Sequence, residues 1–332
     1  MRSRLGALTS VAALMTLLVA GPAGAAGGSS PPSDATLVAT SAHGGGCGQD
    51  APPGSSTLTF SAGGPTRIVI VHIPTGYSGT VKVPLVLDLH GSGSTAAQQE
   101  AFSGMDAEAD AAGFIVVYPQ GFIDSGTGFD WNVPGEPLPK GDARVKNPPD
   151  DLAFLSELVT GLQERYCIAP GKIYATGFSG GARMSSELAC DDSNIFAAVA
   201  PVSGLRHPTP CPSVRAVPIV AFSGTEDPVD PYEGHGQPYW TYSVPRAARD
   251  WAAQDDCSLR PHTSTPVSGV VLTRYSGCPG HAAVELYTIE GEGHEWPGGP
   301  EMPPAVTKVF GPQTTAVNAD ALMWAFFSAH RL

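Results

Sequence analysis

The chain has 332 residues, of which 42% are hydrophobic, and it carries 18 basic against 31 acidic residues. This acidic balance repels phosphate backbones and anionic lipid headgroups, so it argues against nucleic acid and membrane surfaces as partners. The length suits one large α/β domain with a full hydrophobic core.

The N-terminus has the form of a secretory signal peptide, predicted over residues 1–25. Arg2 and Arg4 precede an apolar run over about residues 5–20, and an Ala-x-Ala ending closes at Ala25. This run is too short to span a membrane. We expect cleavage after Ala25, which leaves 16 basic against 31 acidic residues, a net charge of −15.

The next segment, residues 26–46, is rich in Gly, Ser, Pro and Ala and has almost nothing to bury. It is therefore predicted to be a disordered leader. Residues 47–332 are predicted to form a single domain, and we expect a soluble, extracellular monomer.

Short apolar runs then alternate with amphipathic stretches. This alternation predicts a mainly parallel central sheet with helices on both faces. The predicted strands cover residues 67–73, 85–89, 114–118, 172–176, 197–202, 216–222 and 284–289. Three helices are predicted from apolar residues that recur on one face. The first has Phe102, Met105, Ala109 and Ala112 on that face. The second covers 152–162 and is capped by Asp150 or Asp151, and the last covers about 318–330 with Leu322, Phe326 and Ala329 inward.

Two long irregular regions, 120–149 and 225–242, follow predicted strands and are crowded with Gly, Pro and aromatic residues. In an open α/β sheet, the loops at the carboxyl ends of the strands surround the ligand crevice. These regions are therefore predicted to wall a substrate cleft.

A nucleophilic serine is predicted at Ser179. The predicted strand before it runs into Gly-x-Ser-x-Gly over 177–181 and then into helix-compatible residues, which is how such a serine is presented at a sharp strand-to-helix turn. The five-residue pattern alone is weak in a chain with 40 glycines, so its context must support it.

A carboxylate and a histidine supply that context. Asp227 follows the strand predicted at 216–222, with Glu226 and Asp230 as alternative acids in the same loop. His294 follows the strand predicted at 284–289 in a glycine-lined loop, and we favour it as the base over His90, His207, His235 and His281. The order serine, acid, histidine is that of the α/β-hydrolases.

Two backbone N–H groups are needed to stabilise an oxyanion. Gly180, next after the nucleophile, should donate one of them. Ser92, in the glycine loop after an early strand, is the favoured second donor, with Gly91 as the alternative. His90 is a candidate on the substrate side of this loop, although we favour a bracing role for its ring.

Two tryptophans are candidates for an apolar wall of the cleft. Trp296 lies two residues after the predicted base, and Trp131 lies inside the 120–149 region. Together they could face a planar acyl group or a polyester segment. The alternative for both is burial in the core.

Six cysteines in an exported chain favour disulfides, and 15 pairings are possible. We favour Cys257 with Cys278, which bracket a hairpin-like stretch, then Cys190 with Cys211, and finally Cys47 with Cys167. The histidines are scattered and there is no Cys/His cluster or phosphate loop, so neither a metal nor a cofactor is expected.

From residue 47 to the C-terminus, the chain resembles the exported α/β-hydrolases of the feruloyl esterase and polyhydroxybutyrate depolymerase type, carbohydrate esterase family one in the broad sense. The matching motifs lie at 89–91, 105–107, 117–121, 151–155, 174–181, 224–228 and 293–298. The chain departs from this pattern at three positions: Ser223 replaces a frequent histidine, Gly180 an asparagine, and Ser92 a cysteine or another small residue.

The resemblance implies a secreted serine esterase that needs no cofactor and cleaves feruloyl or acetyl esters of plant polysaccharide. The alternative it implies is a polyhydroxyalkanoate depolymerase or oligomer hydrolase. A serine peptidase would use the same three residues. A non-catalytic binding protein on this scaffold would usually lack one of them.

Overall fold

The structure is a computed structural model, and it describes residues 36–38, 45–61, 64–137 and 147–332. The predicted signal peptide and most of the predicted leader lie outside these residues. None of the helices in these ranges combines the length and apolar character that a membrane crossing requires.

One large sheet organises the described part of the chain. The strands are β1 Thr36–Val38, β2 Gly54–Ser61, β3 Arg67–Ile73, β4 Val83–Leu89, β5 Ile115–Pro119, β6 Ile123–Asp124, β7 Phe129–Asp130, β8 Ile168–Phe178, β9 Ala198–Val202, β10 Ile219–Gly224, β11 His262–Val267, β12 Val270–Tyr275 and β13 Val284–Ile289. Eleven of them pair in the order β1-β2-β3-β5-β4-β8-β9-β10-β13-β12-β11, while β6 and β7 form a separate hairpin.

The six central strands, from β5 to β13 in that order, run parallel. Strands β5, β9 and β10 are buried along their whole length, as expected for strands covered on both faces. All seven predicted strands form, and the bounds of β3 and β13 agree with the prediction. The carboxyl ends of β4, β8, β10 and β13 therefore meet at one edge, where the predicted site residues follow them.

Helices cover both faces of the sheet. They are α1 Ala96–Ser103, α2 Met105–Ala112, α3 Asp151–Arg165, α4 Gly180–Asp191, α5 Val244–Gln254, α6 Pro304–Phe310 and α7 Ala319–Ser328. Along β4, Leu85 and Leu87 face one hydrophobic core and Val86 faces the other. The alternation along this strand thus feeds the two cores that the helices complete.

Two helical predictions need correction. The face predicted from Phe102 to Ala112 is divided between α1 and α2 by Gly104, whose φ of 70° ends α1 with a left-handed residue. In α7, Met323, Phe326 and Phe327 are buried, whereas Leu322 is half-buried and Ala329 is exposed. The inward face of this helix is therefore rotated relative to the predicted one.

Order begins earlier than the sequence predicts. Residues Thr36–Val38, inside the predicted leader, pair in parallel with β2. The Gly46 N–H also donates to the Gln163 carbonyl at 3.0 Å. The pairing of residues 36–38 has a physical reason. Without it, β2 would present an unpaired edge, which a short β-prone segment can cover.

The favoured disulfide pairing is confirmed. Cys47 bonds to Cys167 across 120 positions, Cys190 bonds to Cys211, and Cys257 bonds to Cys278. The first bridge joins the start of the domain to the residue before β8. The third encloses the antiparallel hairpin of β11 and β12.

Candidate active site

Ser179 lies at the sharp turn between β8 and α4. Its backbone has φ 53° and ψ −112°, a conformation that a residue with a side chain rarely adopts. The turn is tight because a Cβ at Gly181 would collide with the Leu89 carbonyl, and a Cβ at Gly177 would lie 2.7 Å from the Gly181 backbone. The two glycines thus allow β4, β8 and α4 to meet, as the sequence pattern predicts.

Asp227 and His294 form a buried hydrogen-bonded pair, with 2.7 Å between Asp227 Oδ2 and His294 Nδ1. The other carboxylate oxygen, Oδ1, accepts the backbone N–H groups of Val229 and Asp230, both at 2.8 Å. Because a carboxylate can only accept, the Nδ1 atom of His294 carries the proton. The Nε2 atom of a neutral ring is then free to act as a base.

The alternative acids in this loop have other surroundings. Glu226 is exposed, and Asp230 forms an ion pair with Arg183 at 2.6 Å. The geometry therefore favours Asp227 among the three carboxylates that the sequence left open.

Ser179 and His294 lie at the same edge of the sheet and share neighbours. The ring of Phe178 packs against the His294 imidazole with 4.7 Å between centroids. The Ser179 N–H donates to the Val202 carbonyl at 3.0 Å, and the nearby Ser203 hydroxyl donates to the Glu295 carbonyl at 3.0 Å. The end of β9 thus contacts both the serine turn and the histidine loop.

Burial and charge act in opposite directions on His294. Burial of the imidazole lowers its pKa, but the charge of Asp227 and the hydrogen bond to it raise the pKa, and the net shift is upward from 6.5. The carboxylate therefore stabilises the imidazolium form, which is the state that a general base reaches during proton transfer.

The loop after β4 lies directly against the serine turn. A Cβ at Gly91 would come within 3.0 Å of the Phe178 ring and 3.5 Å of Ser179 Cβ. A Cβ at Gly180 would lie 3.1 Å from the Ser92 nitrogen. Both predicted oxyanion donors, Gly180 and Ser92, are thus brought together beside Ser179.

His90 is fully buried and braces this loop. Its Nε2 accepts the Gly121 N–H at 2.9 Å, so Nδ1 carries the proton and donates to the Gly91 carbonyl at 2.8 Å. Burial lowers the pKa of His90 to about 4, which keeps the ring neutral. The structure therefore differs from the prediction of His90 as a substrate-side residue and agrees with the favoured bracing role.

The predicted apolar wall is wrong for both tryptophans. Trp131 is 3% exposed, and its indole N–H donates to the His90 carbonyl at 2.8 Å. Trp296 is 0% exposed and donates to Asp320 at 2.9 Å. Each indole is buried because a distant residue satisfies its N–H group and the ring fills a core.

The β6–β7 hairpin has a role that sequence reasoning missed. Its Phe129 N–H donates to the Ser94 carbonyl at 2.7 Å, and Asp130 accepts the Gly93 N–H at 2.8 Å. The described part of the predicted cleft wall at 120–149 therefore holds the loop over residues 90–94 in place. This loop carries the predicted donor Ser92 and is here called the oxyanion loop. Only the glycine-rich, aromatic composition of residues 120–149 could have directed attention to the hairpin.

A second missed residue is Arg183, one turn after Ser179 on α4. It is buried and pairs with Asp230 at 2.6 Å and Glu136 at 3.0 Å, while its guanidinium lies 4.4 Å from the centre of the Tyr239 ring. Arg183 thus ties the acid loop to the loop after β7. Its position one turn after Ser179, in the first part of α4, was the available signal.

Two buried glutamates flank His294. Glu292 is 2% and Glu295 is 1% exposed, and neither carboxylate receives a hydrogen bond of normal geometry from the described residues. Burial raises the pKa of Glu292 to about 8, with a smaller contribution from repulsion by the charge of Glu295. Burial also raises the pKa of Glu295 to about 7.

These raised pKa values predict that stability falls with pH. The folded protein keeps protons on Glu292 and Glu295 that the unfolded chain loses near pH 4.5, so the free energy of unfolding decreases from about pH 5 to pH 8. Glu292→Gln should reduce this decrease by about 2 kcal/mol. Urea unfolding at pH 5.5 and 8.5 measures it, with Glu290→Gln on the exposed side of the loop as control. An unchanged decrease in the Glu292 variant would refute the explanation.

The sequence matches the profile of the Esterase family over residues 62–279. Among curated proteins, it is 30% identical to Feruloyl esterase B of Piromyces equi over 239 residues, which cover 69% of this chain and 42% of that protein. It is also 28% identical to Poly(3-hydroxyalkanoate) depolymerase C of Paucimonas lemoignei, over 69% of this chain and 58% of the relative. The chain thus spans about half the length of these two relatives.

The match to Feruloyl esterase D of Neurospora crassa extends further, with 27% identity over 88% of this chain and 92% of the relative. Among solved structures, an acetyl xylan esterase from Aspergillus awamori superposes with a TM-score of 0.55 at 16% identity, over 82% of this chain and 98% of that one. This structural similarity confirms the predicted α/β-hydrolase fold.

Proposed function

This chain belongs to the Esterase family, and from that premise we propose that it is an exported serine esterase that hydrolyses carboxylic esters through an acyl-enzyme. The observation that carries the proposal is the buried Asp227–His294 pair, which lies at the same sheet edge as the strained Ser179 turn. These are the nucleophile, base and orienting acid that acyl transfer requires.

In the proposed mechanism, Ser179 Oγ attacks the ester carbonyl carbon while His294 Nε2 accepts the hydroxyl proton. Asp227 holds the ring and stabilises its charge. The N–H groups of Gly180 and Ser92 bind the oxyanion, and collapse of the tetrahedral intermediate expels the alcohol, which takes the proton from His294. Water then attacks the acyl-enzyme by the same route and releases the acid.

We propose esters of plant polysaccharide, feruloyl or acetyl, as the substrates, and polyhydroxyalkanoate as the alternative. The feruloyl esterase and acetyl xylan esterase among the similar proteins support the first class, and the poly(3-hydroxyalkanoate) depolymerase supports the second. A side-by-side assay of methyl ferulate, p-nitrophenyl butyrate and a hydroxybutyrate oligomer distinguishes them. Turnover of a peptide instead would indicate a peptidase, and failure of a fluorophosphonate to label Ser179 would indicate a binding protein.

Export of a monomer is part of the proposal. The export is supported by the form of residues 1–25 and by the three disulfides, since disulfides form and persist in oxidising compartments. Detection of the processed chain outside the cell, with its mass measured in solution, tests both points.

Activity should rise with pH through the pKa of the base. Only neutral imidazole can accept the serine proton. Because Asp227 raises the pKa of His294 above 6.5, the pH at which the rate reaches half of its maximum should be higher than 6.5. The measurement is kcat/KM for p-nitrophenyl butyrate between pH 5 and 9. A flat profile from pH 5 to 8 would count against His294 as the base.

A further inference from the structure

Ser92 occupies the space that a side chain at position 180 would need. A Cβ built on Gly180 would collide with the Ser92 hydroxyl oxygen and would lie 3.5 Å from Ser92 Cβ and 3.1 Å from its nitrogen. The backbone N–H and the hydroxyl of Ser92 thus lie on the same side of Gly180. Ser92 is also one of the two residues whose backbone N–H is proposed to bind the oxyanion.

The loop that carries Ser92 is a fixed turn. The Ser94 N–H donates to the Gly91 carbonyl at 3.1 Å, and Gly93 has a φ of 75°, which together place Ser92 at the second position of a type II-like turn. The Gly93 N–H is itself held by Asp130 at 2.8 Å. Ser92 is therefore presented by a rigid backbone.

The Ser92 hydroxyl is available to a ligand. Ser92 is exposed, and its hydroxyl has no hydrogen-bond partner among the residues that the structure describes. A serine hydroxyl rotates about its Cβ–Oγ bond and can therefore direct its proton at an adjacent anion. By contrast, the Ser94 hydroxyl two residues on donates to Gln98 and is buried.

We propose that the Ser92 hydroxyl is a third hydrogen-bond donor to the oxyanion, beside the N–H groups of Gly180 and Ser92. This inference rests on the proposed esterase mechanism. No bond is formed or broken at Ser92, because the hydroxyl keeps its proton and only donates to the negative oxygen while the tetrahedral intermediate exists. Glycine at position 180 is what leaves room for it.

A donor aimed at the oxyanion acts on the transition state more than on the bound ester, so its loss should lower kcat and leave KM nearly unchanged. Ser92→Ala should reduce kcat by about 10- to 100-fold. This reduction is somewhat smaller than the one expected on removal of a fully buried oxyanion donor, because Ser92 is exposed. Ser92→Thr retains the hydroxyl and should lose less. The affinity for a trifluoromethyl ketone, which forms a tetrahedral adduct, should fall with kcat in Ser92→Ala.

Position 180 provides an independent arm of the experiment. Gly180→Ala should displace the hydroxyl, so adding Ser92→Ala to it should cost much less than Ser92→Ala costs in the wild-type background. Full additivity of the two changes would refute the link to Gly180. Thermal unfolding of each variant shows whether the fold is retained, which the exposure of Ser92 predicts.

The outcomes separate this inference from the proposed function. If the wild type hydrolyses esters and a fluorophosphonate labels Ser179, but Ser92→Ala stays within about two-fold of the wild-type kcat, the third donor is refuted and the esterase remains. If the wild type neither hydrolyses esters nor reacts at Ser179, both proposals fail together.

Discussion

Ser179→Ala is expected to lower kcat by about 10⁴ to 10⁶ while the protein remains folded. Without the hydroxyl there is no acyl-enzyme, and only substrate binding and the oxyanion donors can still assist direct attack by water. The fold should persist because the strained turn depends on the close approach of Gly177 and Gly181 to β4 and α4, which the change does not touch.

The measurements are kcat on p-nitrophenyl butyrate, labelling by a fluorophosphonate, and the melting temperature. Ser223→Ala is a matched control, because Ser223 is a buried serine on β10 whose hydroxyl has no partner among the described residues. It should leave kcat within about two-fold of wild type, since removal of an unpaired buried hydroxyl is nearly neutral. Comparable rates for Ser179→Ala and Ser223→Ala would disprove the assignment of the nucleophile.

Asp227→Asn should lower kcat by about 10⁴. In the wild type, Oδ1 accepts two backbone N–H groups and Oδ2 accepts the His294 Nδ1–H. An amide has only one oxygen, so its NH₂ group must face either the two backbone donors or the imidazole. If it faces His294, the ring must take the other tautomer, which places the proton on Nε2 and removes the base.

The control for this change is Glu226→Gln, which alters an exposed carboxylate in the same loop and should leave kcat unchanged. Asp230→Asn distinguishes the remaining alternative. A near-normal rate for Asp227→Asn together with a loss of about 10⁴ for Asp230→Asn would transfer the acid role to Asp230.

The central strands and the order of the three site residues were predictable for one reason. Fully buried parallel strands read as short apolar runs, and their carboxyl ends meet at one edge, so Ser179, Asp227 and His294 could be brought together from position along the chain alone. Strand β11 lies in the hairpin-like stretch predicted between Cys257 and Cys278. Its bounds were not predicted because its residues are almost all exposed and show no apolar run.

Burial of individual side chains was harder to predict, because it depends on partners far along the chain. Trp131 is held by the His90 carbonyl, 41 positions earlier, and Trp296 by Asp320, 24 positions later. Local composition around either tryptophan contains no sign of these partners. The same holds for Arg183, whose carboxylate partners lie 47 positions away on either side.

The disulfide between Cys47 and Cys167 determines what happens when the backbone is cleaved. The covalent ring it closes contains the oxyanion loop and the β6–β7 hairpin, whereas Ser179, Asp227 and His294 all follow it in the chain. A protease that nicks the backbone anywhere between these two cysteines would therefore release no fragment. The severed pieces would stay tethered, with the loop that bears Ser92 still linked to the strand that leads to the nucleophile.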